Sequence, residues 1–316
     1  MTEHRPISLD TIRAAQTRIK GVAIRTPLVR LNLDNAPADI YLKLENLQPI
    51  GSFKMRGASN AMAMVSADDL ADGVYTASAG NMAQGVAWNA RRLGISCHGV
   101  VPDHAPQTKL DAIKRLGGEI IKVSFNEWWQ IIVTHRYAGL DGFFVHPFSD
   151  PAVMAGNGTI GLEIVEDLPD LDAIIIPYGG GGLSAGIASA IRALKPDTKI
   201  YACEVETAAP LAPSLATGEL QEVEYTPSFV DGIGSESVLP DMWALVSQLL
   251  DGSLVMSLDE ISAAIRLLLE HNRVLAEGAG ASSVAAALSG KAGGGKVVCV
   301  VSGGNIGATT LLKILS

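Results

Sequence analysis

Ala173-Ile174-Ile175-Ile176-Pro177-Tyr178-Gly179-Gly180-Gly181-Gly182-Leu183 is the stretch that decides the fold. Its first six residues form a continuous apolar run, the pattern of a strand buried on both faces of a parallel sheet. Residues 183–194 then carry a helical pattern, so the unit reads strand, glycine loop, helix. Four residues without Cβ let backbone N–H groups crowd around an anion, and the positive end of the helix adds to the attraction. No lysine follows, so a nucleotide with Mg²⁺ is not implied. A single dianionic phosphate on a small cofactor suits such a nest.

The same alternation continues on both sides. Strands are predicted at 40–45, 74–78, 97–101, 119–123, 143–146, 173–178, 199–204 and 297–302. Helices are predicted at 9–20, 54–65, 83–93, 109–116, 183–194, 261–271 and 279–288. Several end at glycine, as at Gly21, Gly94, Gly117 and Gly290, the usual C-terminal cap. Repeated units of this kind imply an α/β fold with open sheets flanked by helices. No Ser- or Pro-rich linker divides the chain, so two domains would be interleaved.

Composition narrows the function. Of 316 residues, 48% are hydrophobic, enough for a large core, and 33 are glycine without a collagen period. Asp and Glu number 33 against 24 Lys and Arg, a net charge of −9 with no basic run, so no nucleic-acid partner is expected. No apolar run reaches membrane-spanning length, and the start lacks a signal-peptide pattern. Cys97, Cys203 and Cys299 lie far apart and suggest no disulfide framework. A soluble, cytoplasmic protein is expected.

Three glycine patterns invite other readings. Residues 156–161, GNGTIG, satisfy GxGxxG, but no strand runs into them, as a dinucleotide site requires. Residues 290–296, GKAGGGK, begin like a phosphate-binding loop but lead into a strand without a hydroxyl residue. Residues 182–186, GLSAG, match GxSxG. An α/β-hydrolase would use Ser184 with Asp231 or Asp251 and His271. The extra glycines before the motif spoil a tight nucleophile elbow.

The second focus is Gly51-Ser52-Phe53-Lys54-Met55-Arg56-Gly57. With Ser52 as N-cap, Lys54 falls in the first helical turn, where the helix end is already positive. That field and desolvation lower its pKa and favour the neutral amine that Schiff-base chemistry requires. An aldehyde partner and a phosphate nest together describe pyridoxal phosphate.

In order along the chain, six segments then resemble one family. They are Arg25-Thr26-Pro27-Leu28; Lys43-Leu44-Glu45-Asn46 with 51–58; Ser78-Ala79-Gly80-Asn81-Met82-Ala83-Gln84-Gly85; His146-Pro147-Phe148 through Thr159; the glycines at 179–182; and Ser302-Gly303-Gly304-Asn305. The chain resembles the fold type II pyridoxal-phosphate enzymes, in the branch of threonine/serine dehydratases and serine racemase. The resemblance implies a tryptophan synthase β-like α/β fold with two open twisted sheets. It also implies a large cofactor domain of residues 1–62 and 148–316 and a small inserted substrate-loop domain of 63–147. Carried onto this chain, it gives Lys54 as the Schiff-base lysine and the base for the Cα proton. Phe53 packs on the cofactor ring and Asn81 binds the ring hydroxyl. Gly179, Gly180, Gly181, Gly182 and Leu183 bind the phosphate, Ser302 faces the pyridine nitrogen, and Gly232 and Glu277 line the cofactor. Ser78, Ala79, Gly80, Asn81 and Met82 bind the substrate.

The implied reaction is dehydration and deamination of a β-hydroxy amino acid, L-threonine or L-serine by default, to a 2-oxo acid and ammonia. Ala79 stands where serine racemases place a second proton-transferring serine, which favours elimination over racemisation. Met82 replaces the family's usual histidine, and Phe125-Asn126-Glu127-Trp128-Trp129 is unusual. These departures suggest either helix packing or a pocket wall suited to another β-hydroxy amino acid, such as 3-hydroxyaspartate or a hydroxyectoine-derived one. The family's cation loop survives only at Glu204, with Pro210 where an acid is expected, so a divalent cation is doubtful. The six histidines show no zinc spacing. The regulatory domain of biosynthetic relatives is not expected after Ser316, and a homodimer is expected.

Overall fold

The computed structural model describes residues 5–316. In chain order the first half forms α1 (Leu9–Arg18), β1 (Leu28–Arg30), β2 (Asp39–Leu44), α2 (Lys54–Ala63), β3 (Val74–Ala77), α3 (Asn81–Leu93), β4 (Cys97–Pro102), α4 (Gln107–Arg115), β5 (Glu119–Val123), α5 (Phe125–Thr134), β6 (Phe143–Phe144) and α6 (Pro151–Asp167). The second half forms β7 (Ala173–Pro177), α7 (Gly182–Leu194), β8 (Lys199–Val205), α8 (Leu211–Thr217), α9 (Pro240–Leu249), β9 (Gly252–Met256), α10 (Leu258–Leu267), α11 (Gly278–Leu288), β10 (Lys296–Val301) and α12 (Ala308–Leu315).

Two sheets result. The larger has the order β1-β2-β10-β7-β8-β9, and the smaller β5-β4-β3-β6. Every neighbouring pair is parallel except β1 with β2. The two most apolar runs in the sequence take the central places. In β10, Cys299 lies opposite Leu42 of β2 and Ile175 of β7. Helices cover both faces: Val297, Cys299 and Val301 pack with α10 and α11, while Val298 and Val300 pack with α6, α7 and α9. The small sheet packs on α2 and α3 through Met62, Val74, Val86 and Cys97, and on α5 through Tyr75, Val100 and Ile132. All three cysteines are free and buried.

The structure departs from the predicted elements most at α6. Its 17 residues contain the whole GNGTIG stretch in mid-helix. Asp150 caps it, accepting from the Ala152 and Val153 amides at 2.6 and 3.2 Å, and Pro151 occupies the first turn. Gly156, Gly158 and Gly161 serve close packing. A Cβ at Gly156 would lie 2.5 Å from the Arg56 carbonyl oxygen of α2, and one at Gly158 would lie 2.9 Å from the Gly186 oxygen of α7. The helix is buried almost all round, so it lacks the amphipathic stripe that marks a helix in sequence. α5, β1, β9, α8, α9 and α12 were likewise not anticipated. α3 starts at Asn81, two residues earlier than expected, and 261–271 is split between α10 and a π-turn at Leu268–Asn272.

Candidate active site

The carboxyl ends of β3, β7 and β10 open onto one cavity of about 270 Å³, where an open α/β sheet places its ligands. Its wall includes every cofactor and substrate residue expected from the sequence: Phe53, Lys54, Ser78 through Met82, Gly179 through Leu183, Gly232, Glu277 and Ser302.

Lys54 is the first residue of α2. The expected cap at Ser52 is not formed in the usual way. Phe53 holds the cap position in helical geometry, and the Ser52 hydroxyl accepts the Lys54 amide itself at 3.3 Å. Lys54 Nζ donates to the Pro147 carbonyl at 2.5 Å and lies 5.2 Å from the centre of the Phe53 ring. It has no carboxylate partner, and burial pushes its pKa down to about 8.

Its acceptor carbonyl is held by a turn. The ring of His146, 1% exposed, accepts from the Phe148 and Ser149 amides at Nδ1, at 3.2 and 2.8 Å, and its Nε2 donates to Ile132 O at 3.1 Å. Burial, with His135 stacked 4.3 Å away, keeps the His146 pKa down to about 3, so the imidazole is neutral. Phe148, which follows Pro147, lines the same cavity and packs on the glycine run. A Cβ at Gly180 would meet the Phe148 ring at 2.3 Å, and one at Gly182 would meet its carbonyl at 2.4 Å. Gly181 has φ +86°, a left-handed backbone that glycine adopts without strain. The glycine run is therefore fixed by close approach as well as by its loop conformation, and it delivers the amino end of the 13-residue α7 to the cavity. The amino end of α3 does the same from the small sheet. Two helix N-termini thus face one space, each suited to an anion.

Glu277 joins them. Asn81 Nδ2 donates to its Oε1 at 2.8 Å, and the Asn81 Oδ1 accepts from Asn305 at 2.7 Å. Burial, aided by Asp231, raises the Glu277 pKa to about 7. Ser302 lies just beyond β10, and its carbonyl accepts the Phe53 amide at 3.0 Å. Met82 lines the cavity while sitting 1% exposed in the small-sheet core.

Residues quoted above only as motif letters have a common task. Arg56 donates to Glu45 at both oxygens (2.8 Å each) and to Glu163 (2.7 and 2.9 Å), and Lys43 donates to Glu163 and to Thr26 O. This buried network ties β2 and the first turn of α2 to α6. Sequence reasoning also missed Lys109, which pairs with Asp231 at 2.8 Å at the cavity rim, and Asn305.

The rival sites are not assembled. Ser184 is buried on α7 with its hydroxyl 3.5 Å from Pro177 O. His271 is exposed against Asn32 O, Asp231 is with Lys109, and Asp251 is with Arg192 and Lys199. The Glu204 carboxylate accepts from the Leu211 and Ala212 amides at 2.8 Å and from Ser253 at 2.6 Å, and so caps α8. Among the described residues no three His, Cys, Asp or Glu side chains gather as a metal site, and no helix is long and apolar enough to cross a membrane.

Comparison with known proteins agrees with this geometry. The family described as "Pyridoxal-phosphate dependent enzyme" matches residues 19–303. An L-threonine ammonia-lyase of Thermotoga maritima is 40% identical over 98% of this chain and 78% of its own. The catabolic L-threonine dehydratase TdcB of Escherichia coli K12 is 37% identical over 98% and 96%. The structure of maize serine racemase superposes with a TM-score of 0.90 at 32% identity, covering 98% of this chain and 97% of that one. By fold, by motif order and by descent, the chain belongs to the pyridoxal-phosphate dependent enzymes.

Proposed function

We propose that this chain eliminates the β-hydroxyl of a β-hydroxy amino acid as water, after which the released enamine, as its imine, takes up water to give a 2-oxo acid and ammonia, with L-threonine and L-serine as the reference substrates. The observation that carries the reading is a buried amine without a counter-ion, Lys54, at one end of a cavity whose other end is a glycine loop on a helix N-terminus. The donor set fits pyridoxal phosphate: an amine for its aldehyde, the amides of Gly179 to Leu183 for its phosphate, and Phe53, Asn81, Gly232, Glu277 and Ser302 around its ring. When bound, that cofactor supplies the electron sink for the pair left at Cα.

The protein's own residues do the rest. The amine of Lys54, about half deprotonated near pH 8, takes the Cα proton. The Ser78–Met82 loop and the amino end of α3 hold the substrate carboxylate. Ala79 has no proton to deliver to the opposite face of Cα, so reprotonation there is not supported and loss of the β-hydroxyl is. Ser302 is a neutral partner for the ring nitrogen. We further take 63–147 as the small domain and 1–62 with 148–316 as the large one, and place the enzyme in the cytoplasm as a homodimer.

The test is release of a 2-oxo acid and ammonia across β-hydroxy amino acids, with borohydride fixation of the cofactor on Lys54. A protein that takes up no added cofactor, or a Lys54→Ala variant that retains turnover, contradicts the proposal. The hydrolase alternative makes the opposite demand: Ser184→Ala inactive and Lys54→Ala active.

A further inference from the structure

The segment His146-Pro147-Phe148 reaches the reactive amine through one backbone atom. The Pro147 carbonyl accepts from Lys54 Nζ at 2.5 Å, the one hydrogen bond that this amine makes among the described residues. Proline has no N–H, so Pro147 cannot anchor itself through its own amide. The direction of its carbonyl is set by the N–H that follows. Pro147 C=O and Phe148 N–H belong to one planar peptide unit, and in a trans unit the two bonds point opposite ways. His146 Nδ1 accepts that N–H at 3.2 Å and the Ser149 N–H at 2.8 Å. Drawing the Phe148 N–H to the imidazole therefore turns the carbonyl to the amine.

The imidazole is itself locked. It is 1% exposed, and Nε2 donates to Ile132 O of α5 at 3.1 Å. His135 stacks on the ring at 4.3 Å, while Phe148 and Phe144 meet it edge-on at 4.7 and 5.8 Å. With Nδ1 occupied by two donors, the ring proton sits on Nε2. A cationic ring would set a third hydrogen against those two amides.

The carbonyl matters most when the amine gains charge. As Lys54 takes the Cα proton, Nζ gains one hydrogen and one positive charge, and the electron pair of the broken C–H bond stays on the substrate side. A carbonyl that accepts from an ammonium stabilises the charged form. No carboxylate does so here.

We propose that His146 is a positioning residue for this proton transfer: through the Pro147–Phe148 peptide it aims a carbonyl that receives the ammonium formed at Lys54. This rests on the role given to Lys54 above and deepens it.

Two variants separate the ring nitrogens. His146→Asn places an acceptor oxygen near the position of Nδ1 and loses the bond to Ile132. His146→Gln can keep the bond to Ile132 and lacks the acceptor at Nδ1. In cofactor-loaded protein, His146→Gln should lower kcat about 10–100-fold with little change in KM. His146→Asn should stay within about threefold of the wild type. Equal kcat per folded molecule in the two variants overturns the proposal, because a merely structural ring would not distinguish its nitrogens in this way.

A readout on the cofactor-free wild type needs neither turnover nor a variant of His146. The Pro147 carbonyl ¹³C and Phe148 amide ¹H resonances report the two ends of one peptide. They should titrate together, with a midpoint near the Lys54 value of about 8. Lys54→Met, which leaves the neighbouring His135 in place, should abolish that step. Resonances that stay still as Lys54 titrates, or that move equally in Lys54→Met, overturn the proposal. A protein that takes up no cofactor overturns the elimination reaction instead, and the titration then decides whether His146 governs the amine.

Discussion

Lys54 and Arg56 lie two residues apart on one helix, and both are cations taken out of water. Their surroundings differ completely. Arg56 has two carboxylates, Glu45 and Glu163, in forked contact, and although burial works against its charge they hold its pKa well above the ordinary value. Lys54 has a carbonyl, an aromatic face and no anion, and burial brings its pKa down to about 8. A buried charge that is fully paired becomes a rivet, and one left unpaired becomes a reagent. The network around Arg56 fixes the turn from which Lys54 projects, so the reactive amine depends on the inert one for its position.

The largest test of this contrast is Lys54→Ala, expected to lower kcat for 2-oxo acid release by about 10³-fold or more while the circular dichroism and unfolding transition stay intact. Glu163→Gln attacks the other side. It leaves Lys43 and one face of Arg56 uncompensated and should cost about 3–5 kcal/mol in urea unfolding. A loss below 1 kcal/mol there means the network is not a rivet.

Lys54→Met in cofactor-free protein should do the reverse and stabilise. The folded state holds the lysine proton less tightly than the unfolded chain, so the wild type carries a full penalty below pH 8. That penalty fades as pH rises towards 10.5. The variant should gain up to about 3 kcal/mol at pH 7, and the gain should vanish across that window. Equal pH profiles for the two proteins would show that the amine is well solvated.

Glu277 sharpens the comparison from the acid side. Its folded pKa, raised to about 7, exceeds the ordinary 4.5, so it stabilises fully below pH 4.5 and this contribution is lost as pH rises to about 7. Glu277→Gln should remove that slope, an effect similar in size to that at Lys54, because the two groups are displaced from their ordinary values by similar amounts. The slope is read from unfolding midpoints between pH 4.5 and 7.

The cofactor cavity was legible in sequence because its residues are chemically improbable elsewhere. Four consecutive glycines and a lysine at a helix start have few structural uses, and Gly179–Gly182 and Lys54 meet where expected. The helix that joins them was not legible. α6 is buried on almost every side and glycine-rich, since it is gripped by α1, α2 and α7, so the periodicity that identifies a helix is absent from it. Its glycines instead imitated a nucleotide motif. Nor did the sequence reveal the Arg56 network, because spacings of 11 and 107 residues between Arg56 and its carboxylates carry no local signal. Trp128 and Trp129 were conspicuous but ambiguous, and only the fold separates the one that reaches the cavity from its neighbour.

Phe148 has a consequence for how such chains can change. Its ring fills the space that a side chain at 180 would need, and its backbone fills the space needed at 182. Positions 148 and 180 share one volume and are open to substitution only in combination, while 182 stays closed whatever side chain stands at 148. Gly180→Ala alone must push the ring towards the amine end of the same cavity, and a smaller residue at 148 is what makes room for it. Variation in the glycine loop is thereby tied to a side chain that lines the same cavity. A lineage cannot remodel that loop without also reshaping the pocket.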